Sequence, residues 1–277
     1  MKAKYIEAGG LNTRYLFAGA DNDKALLLIH GGGIAADSWM CNIDELAKAF
    51  AVYAPDTVGH GFTDAVDLGG DLPQPHALRH LIAFLDAVGI DKCYAGGSSY
   101  GALLAGLLYL EIPERVEKLV LISSSSAFDS DEDYRRAMRG AFENAARTIS
   151  DPELEDCRRR MAAIVHDPAC IPEAVLMMQL TQYAKPDRAD YYIKANRNRV
   201  NAEGPIGYRI VDRLEELALP VLVVAGREDP RANWRRTEAA VARMPDAELH
   251  IVDECGHLPH IEHPAMFNRL ATEFLSR

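Results

Sequence analysis

The sequence predicts an α/β protein: a mostly parallel sheet flanked by helices, with a helical insertion. Three observations carry this. Short apolar runs alternate with helical patterns over residues 25–127, and the rhythm returns from residue 209 to the end. A strand covered on both faces reads as a continuous apolar run, and its alternation with helices is the pattern of parallel crossovers. Residues 128–208 are instead charged and helical, with no strand run. Finally, no flexible linker, low-complexity tract or internal repeat divides the 277 residues. The expected organisation is one core, 1–127 with 209–277, and one insertion, 128–208.

Taken in order, "KYIEA" and "TRYLFAG" flank "GGLN" as an opening hairpin. "ALLLIH" (25–30) and "AVYAPD" (51–56) read as buried strands. "ALRHLIAFLDAV" (77–88) places Leu78, Leu81, Ile82, Leu85 and Val88 on one helical face. "KCYAG" is a strand, "GALLAGLLYLEIP" a helix stopped by Pro113, and "EKLVLISS" a strand. In the insertion, "DSDEDYRRAMRGAFENAARTI", "LEDCRRRMAAIV" and "PEAVLMMQLTQYA" are helical, and the run Arg158 to Arg160 reads as a solvated face. The apolar stretch "VLMMQL" (Val175 to Leu180) either faces a pocket or forms the core of the insertion. "LPVLVVAG" (219–226), "RRTEAAVARM", "AELHIVDE" (247–254) and "PAMFNRLATEFL" restore the strand–helix alternation.

Composition narrows the function classes. A net charge of −11 argues against nucleic-acid and anionic-membrane partners, which call for Lys/Arg patches. No apolar run approaches a bilayer span and "MKAKYIEAGG" lacks a signal core, so a cytoplasmic location is expected. Cys41, Cys93, Cys157, Cys170 and Cys255 are odd in number and scattered, with no C-x-x-C pair. That argues against a disulfide framework and a zinc site; small buried side chains are expected, with Cys41 or Cys255 as alternative reactive thiols.

The chemistry centres on "CYAGGSSYGALLA". Gly97-Ser98-Ser99-Tyr100-Gly101 fits G-x-S-x-G on Ser99, whereas centring on Ser98 would require glycine at Tyr100. The pattern marks a tight strand-to-helix turn with a nucleophile at its tip, small residues on either side letting strand and helix pass close together. A serine hydroxyl needs a base. His257, in "CGH" after the last strand, is the candidate; His263, in Glu262-His263-Pro264, reads as the start of the last helix. The base needs a carboxylate, and Asp229 follows the strand "VLVVAG", with Glu228 the weaker neighbour. Ser99, Asp229 and His257 each follow a strand, in the chain order of α/β-hydrolases. For the developing oxyanion, "HGGG" offers the N–H of Gly32, shared with Gly31 and Gly33, and the elbow offers the N–H of Tyr100. His30 and His60 read as loop-holding residues and Trp39 as a core aromatic.

Over its whole length the chain resembles the α/β-hydrolase superfamily, and within it the meta-cleavage product hydrolases, which split carbon–carbon bonds in ring-cleavage products. The resemblance rests on "HGGGIAADSW", "DTVGHG" and "CGHLPHIEHP". It implies the α/β-hydrolase fold, a helical lid at 128–208, a small hydrophobic or aromatic substrate, and no metal or other cofactor; self-association stays open. It also implies substrate-binding roles for Ser98 and Leu258, which stand where the family carries asparagine and tryptophan, beside Gly31 and Gly33. Those two departures tilt the expected chemistry toward an ester or lactone, with carbon–carbon cleavage beside it. Arg188, Arg197 and Arg199 compete for the family's lid arginine.

Rival readings are a triad-bearing receptor with little turnover and a dinucleotide-binding protein. Gly31 to Ala36 fits G-x-G-x-x-A with Asp56 ending the next strand, but that reading requires a helix to begin within the glycines. A metal hydrolase lacks an H-x-x-x-H pair or an acidic ligand cluster.

Overall fold

Lys2–Ala8 (β1) and Leu11–Ala18 (β2) form the expected hairpin in the computed structural model, which describes residues 1–201 and 207–277. Ala25–Ile29 (β3), Ala51–Pro55 (β4), Cys93–Ser98 (β5), Val116–Ile122 (β6), Val221–Gly226 (β7) and Ala247–Val252 (β8) complete one eight-stranded sheet in the order β1-β2-β4-β3-β5-β6-β7-β8. The β1–β2 and β2–β4 pairs are antiparallel; all others are parallel. β5 lies between β3 and β6, with Gly97 opposite Ile29 and Ser98 opposite Ile122.

Both faces of the central sheet are covered, which is why β3, β5 and β7 are buried along nearly their whole length, whereas the edge strands β1 and β8 carry exposed polar residues. In β3, Leu27 and Ile29 point into one core with the helices Pro73–Ala87 (α1) and Tyr100–Glu111 (α2). Leu26 and Leu28 point to the other, with Trp39, Phe267 and Phe274. Full burial of such side chains contributes about 1.5–3 kcal/mol each. α1 begins earlier than its pattern suggested because Pro73 supplies a preset φ at the first helical position. Its buried face includes His80 and Phe84, while Ile82 is only half-buried and Val88 lies past the last turn.

Between β6 and β7 the chain builds the helices Asp131–Ser150 (α3), Leu154–Ala162 (α4), Glu173–Tyr183 (α5) and Arg188–Val200 (α6). α6 was not anticipated from the sequence. These helices share an apolar core of their own, including Ile149, Met161, Ile164, Val175, Leu176 and Tyr183, which Ile34, Leu258 and Ile261 join from the main unit. The insertion is thereby seated on the loops at the carboxyl end of the sheet. "VLMMQL" accordingly divides: Val175 and Leu176 are buried in this core, while Met177 is 44% exposed. One expectation is corrected. Arg158 and Arg159 are solvated, but Arg160 is 2% exposed and turned inward; three successive helical residues cannot all face water when one side of the helix packs on a core.

Candidate active site

Ser99 stands between β5 and α2 with φ 55° and ψ −115°, a strained conformation for a residue with a Cβ, costing about 1–3 kcal/mol. The flanking glycines make the turn feasible. A Cβ on Gly97 would run into the backbone of Gly101, and one on Gly101 into the Ile29 carbonyl. The turn is anchored by the Ser99 N–H donating to the Ile122 carbonyl at 2.8 Å and by the Ser124 hydroxyl donating to the Ser99 carbonyl at 2.7 Å. Tyr100 is the first residue of α2, so its N–H has no acceptor within the helix.

His257 and Asp229 meet from loops after β8 and β7. His257 Nδ1 lies 3.0 and 2.8 Å from the two Asp229 carboxylate oxygens, and both side chains are almost wholly buried. Asp229 Oδ1 also accepts the N–H groups of Arg231 (2.8 Å) and Ala232 (3.0 Å), which fixes the carboxylate plane. With Nδ1–H donated to Asp229, Nε2 is the accepting nitrogen. It is buried and has no hydrogen-bond partner, so its bond to the Ser99 hydroxyl is not formed here. Ser99, His257, Gly32 and Tyr100 line one small cavity. Glu228 instead accepts the Cys255 N–H at 3.0 Å.

The loop carrying His257 is held by Glu262, whose carboxylate accepts the N–H groups of Gly256 (2.9 Å), Leu258 (3.0 Å) and, from the insertion, His166 (2.7 Å). The His257 N–H donates to the Ile164 carbonyl at 2.7 Å. His263 caps the last helix and bonds the Glu254 carbonyl, a structural position.

The glycine loop is held with equal care. His30 Nε2 accepts the Thr57 N–H at 3.0 Å; a backbone amide can only donate, so the proton is on Nδ1, which donates to the Gly31 carbonyl at 2.8 Å. Burial lowers the His30 pKa, in keeping with a neutral ring. The peptide unit is planar and trans, so holding the Gly31 oxygen aims the Gly32 N–H the opposite way. Two insertion residues hold the next carbonyls. Arg160 reaches the Gly32 oxygen at 3.4 Å and the Tyr183 hydroxyl at 2.8 Å, and Tyr183 donates to the Gly33 oxygen.

Of the three competing arginines, Arg199 enters the cavity. It is 4% exposed and lies 4.1 Å over the Tyr100 ring. Arg188 bonds the Thr63 carbonyl and Asp187, and Arg197 is exposed. Tyr192, Asn196 and Arg199 all line the cavity from one face of α6; their i, i+4, i+7 spacing was a usable signal that went unread. Arg231, two residues past Asp229, also lines it, and nothing in its spacing marks it. The wall does not include Ser98, Leu258, Gly31 or Gly33. Ser98 is wholly buried at the end of β5, Leu258 belongs to the insertion's core, Gly31 lies behind Ser99, and Gly33 borders a separate small cavity with Tyr183 and Tyr192.

Other expectations resolve on the same geometry. No helix begins within Gly31–Gly33; a short turn at Ala36–Trp39 follows, and Asp56 is paired with Arg14 at 3.1 Å, which leaves the dinucleotide reading without its parts. Burial pushes the Cys41 and Cys255 thiols up, away from reactive thiolates. His60 bonds within its own loop, and Trp39 is fully buried against His260. Among the described residues no three or more His, Cys, Asp or Glu side chains are grouped to hold a metal ion, and no helix is long and apolar enough to cross a membrane.

Comparison with known proteins decides the family. Residues 24–264 match the profile described as the alpha/beta hydrolase fold. The chain belongs to the α/β hydrolase fold family. A 2-hydroxy-6-oxononadienedioate/2-hydroxy-6-oxononatrienedioate hydrolase of Burkholderia vietnamiensis is 30% identical to this hydrolase over 272 residues, covering 96% of this chain and 92% of the relative. A 2-hydroxy-6-oxo-6-phenylhexa-2,4-dienoate hydrolase of Burkholderia cepacia is 29% identical over 280 residues, covering 98% and 94%. A meta-cleavage product hydrolase of Pseudomonas fluorescens IP01 superposes with a TM-score of 0.79 at 26% identity, covering 99% and 97%. The protein is an α/β-fold serine hydrolase.

Proposed function

We propose that this hydrolase uses Ser99, His257 and Asp229 as a catalytic triad to cleave the carbon–carbon bond of a dienol-ketone acid formed by aromatic ring cleavage. The observation that carries this reading is the cavity itself: Ser99, the accepting nitrogen of His257 and the guanidinium of Arg199 share one small buried space. A buried cation without a carboxylate partner among the described residues favours an anionic substrate. The kinship to hydrolases of ring-cleavage dienoates supports the same class.

In this reading the dienol first becomes a ketone, which turns the carbon fragment into an acceptable leaving group. Ser99 Oγ adds to the carbonyl carbon and its proton passes to His257 Nε2, the imidazolium being stabilised by Asp229. The oxyanion is met by the N–H groups of Gly32 and Tyr100. Collapse breaks the carbon–carbon bond, the electron pair leaves into the conjugated fragment as a dienolate, and His257 returns its proton. Water then hydrolyses the acyl-enzyme to the second acid. Arg199 holds the carboxylate of the dienoate fragment, and the insertion acts as a lid that keeps water from the intermediate.

The test is the specificity constant on a phenyl-substituted ring-cleavage dienoate against a matched aryl ester. Preference for the dienoate, lost with Arg199→Leu, supports the reading; preference for the ester, indifferent to Arg199, overturns it.

A further inference from the structure

We propose that Glu262 is a positioning residue for the base: with a strap of the insertion, residues 164–166, it forms a bracket that holds His257 where Nε2 serves Ser99. This rests on the hydrolase reading above and gives the insertion a part in the reaction itself, beyond covering the cavity.

A buried backbone N–H needs an acceptor, so the partners of a loop show what holds it. The base loop leaves β8, yet three successive N–H groups turn away from the sheet. Gly256 donates to Glu262 Oε2 at 2.9 Å, His257 to the Ile164 carbonyl at 2.7 Å, and Leu258 to Glu262 Oε1 at 3.0 Å. One carboxylate thus takes the amides on either side of the base, and the amide of the base itself goes to the insertion. Glu262 Oε2 also accepts the His166 N–H at 2.7 Å, which ties the strap to the same carboxylate. An ionised acceptor makes such bonds roughly twice as strong as neutral ones.

Gly256 is a second, independent sign of the bracket. Its φ is not positive, so the turn alone does not demand glycine there. A Cβ at this position would lie 2.7 Å from the Ile164 oxygen, 2.8 Å from the His166 nitrogen and 2.8 Å from the Val165 carbonyl carbon. What excludes a side chain is the strap, lying directly against the residue before the base. The strap continues from α4, whose Arg160 reaches the Gly32 carbonyl. One segment of the insertion therefore touches both the glycine loop and the base loop. Asp229 fixes the tautomer and one edge of the imidazole; the bracket fixes the backbone from which the ring extends. A misplacement of about 1 Å in such a group can cost about a hundredfold in rate.

Two variants of the full-length protein press on the bracket from opposite sides. Glu262→Gln keeps the size of the side chain but leaves one accepting oxygen and turns an amine toward a backbone N–H. Gly256→Ala forces the strap away from the base loop. Each should lower kcat about 10- to 100-fold on any turned-over ester, keep KM within about threefold, and slow fluorophosphonate labelling of Ser99 by the same factor as kcat. Lys194→Ala removes an exposed ion pair that ties the insertion to Asp67 at another seam, and should leave kcat and labelling within about twofold. Proton NMR of the Nδ1–H shared with Asp229 reads the base without turnover: the downfield resonance should be sharp in the parent and broadened or lost in both bracket variants while they are folded. A lower unfolding temperature with kcat, labelling and resonance unchanged would make the carboxylate merely structural and overturn the proposal. A rise in KM alone, or an equal loss in Lys194→Ala, would overturn it as well. If Glu262→Gln does not fold, Gly256→Ala decides by the same readouts. A parent that turns over no ester or dienoate, yet whose resonance responds to the bracket variants, would leave the bracket standing and fail the hydrolase reading alone.

Discussion

The sheet and the insertion contribute to the cavity in different ways. From the sheet come Ser99, Asp229, His257, Gly32 and Tyr100, each on a short turn leaving the carboxyl end of a strand; Asp229 is fixed by the amides of Arg231 and Ala232, whereas Ser99 and His257 are anchored to the Ile122 and Ile164 carbonyls. From the insertion come Tyr192, Asn196 and Arg199 on α6, and Arg160 and Tyr183 on the glycine loop, all placed by how helices pack on one another. The difference teaches that the strand-end groups are placed mainly by the turns that carry them, whereas the cavity residues of the insertion depend on how its helices pack.

The largest effect expected from breaking this contrast lies on the sheet side. Ser99→Ala should lower kcat by about four to six orders of magnitude, measured on any turned-over ester together with loss of fluorophosphonate labelling. Ser98→Ala should stay within about threefold, since its buried hydroxyl bonds nothing and leaves a well-packed site; comparable losses in the two variants would reverse the assignment. Asp229→Asn should follow at about two to four orders of magnitude, because an amide can present its N–H to Nδ1 and favour the wrong imidazole tautomer. Unaltered kcat in that variant would remove Asp229 from the mechanism.

Insertion-side changes should be smaller and of another kind. Tyr183→Phe deletes the hydroxyl that bridges Arg160 to the Gly33 carbonyl. It should lower kcat about tenfold while altering KM less, since a loosened glycine loop weakens oxyanion binding more than ground-state binding; a change confined to KM would argue that the bridge serves binding only. The smallest effect on chemistry should come from the insertion's own core. Leu176→Ala, at a fully buried site, should cost about 2–4 kcal/mol of stability, whereas exposed Met177→Ala should stay within about 0.5 kcal/mol, both read by denaturant unfolding. Equal costs would contradict the inward and outward division of this helix.

Much of the sheet side was legible from the chain alone. G-x-S-x-G, "HGGG" and "CGH" are short because the geometry they encode is short: a glycine is demanded at Gly97 and Gly101 by backbone atoms only a few residues or one strand away. The insertion hid more. Arg160 looked like one of three solvated arginines, and its role emerges only when α4 is laid across the glycine loop. Ser98 and Leu258 show the converse. Each adjoins a reactive residue in sequence and yet points away from the cavity, because neighbouring residues on a strand or tight loop face opposite sides.

Alternating apolar runs, strand-end motifs and their order were enough to specify an α/β sheet with a serine elbow, an acid and a histidine in sequence, because turns and strand periodicity are governed by bonds between near neighbours. Tertiary packing alone chose Arg199 over Arg188 and Arg197, turned Arg160 inward and left Arg231 facing the cavity. Long side chains reach several ångströms from their backbones, so their destinations are decided by which distant surfaces the fold brings within that reach.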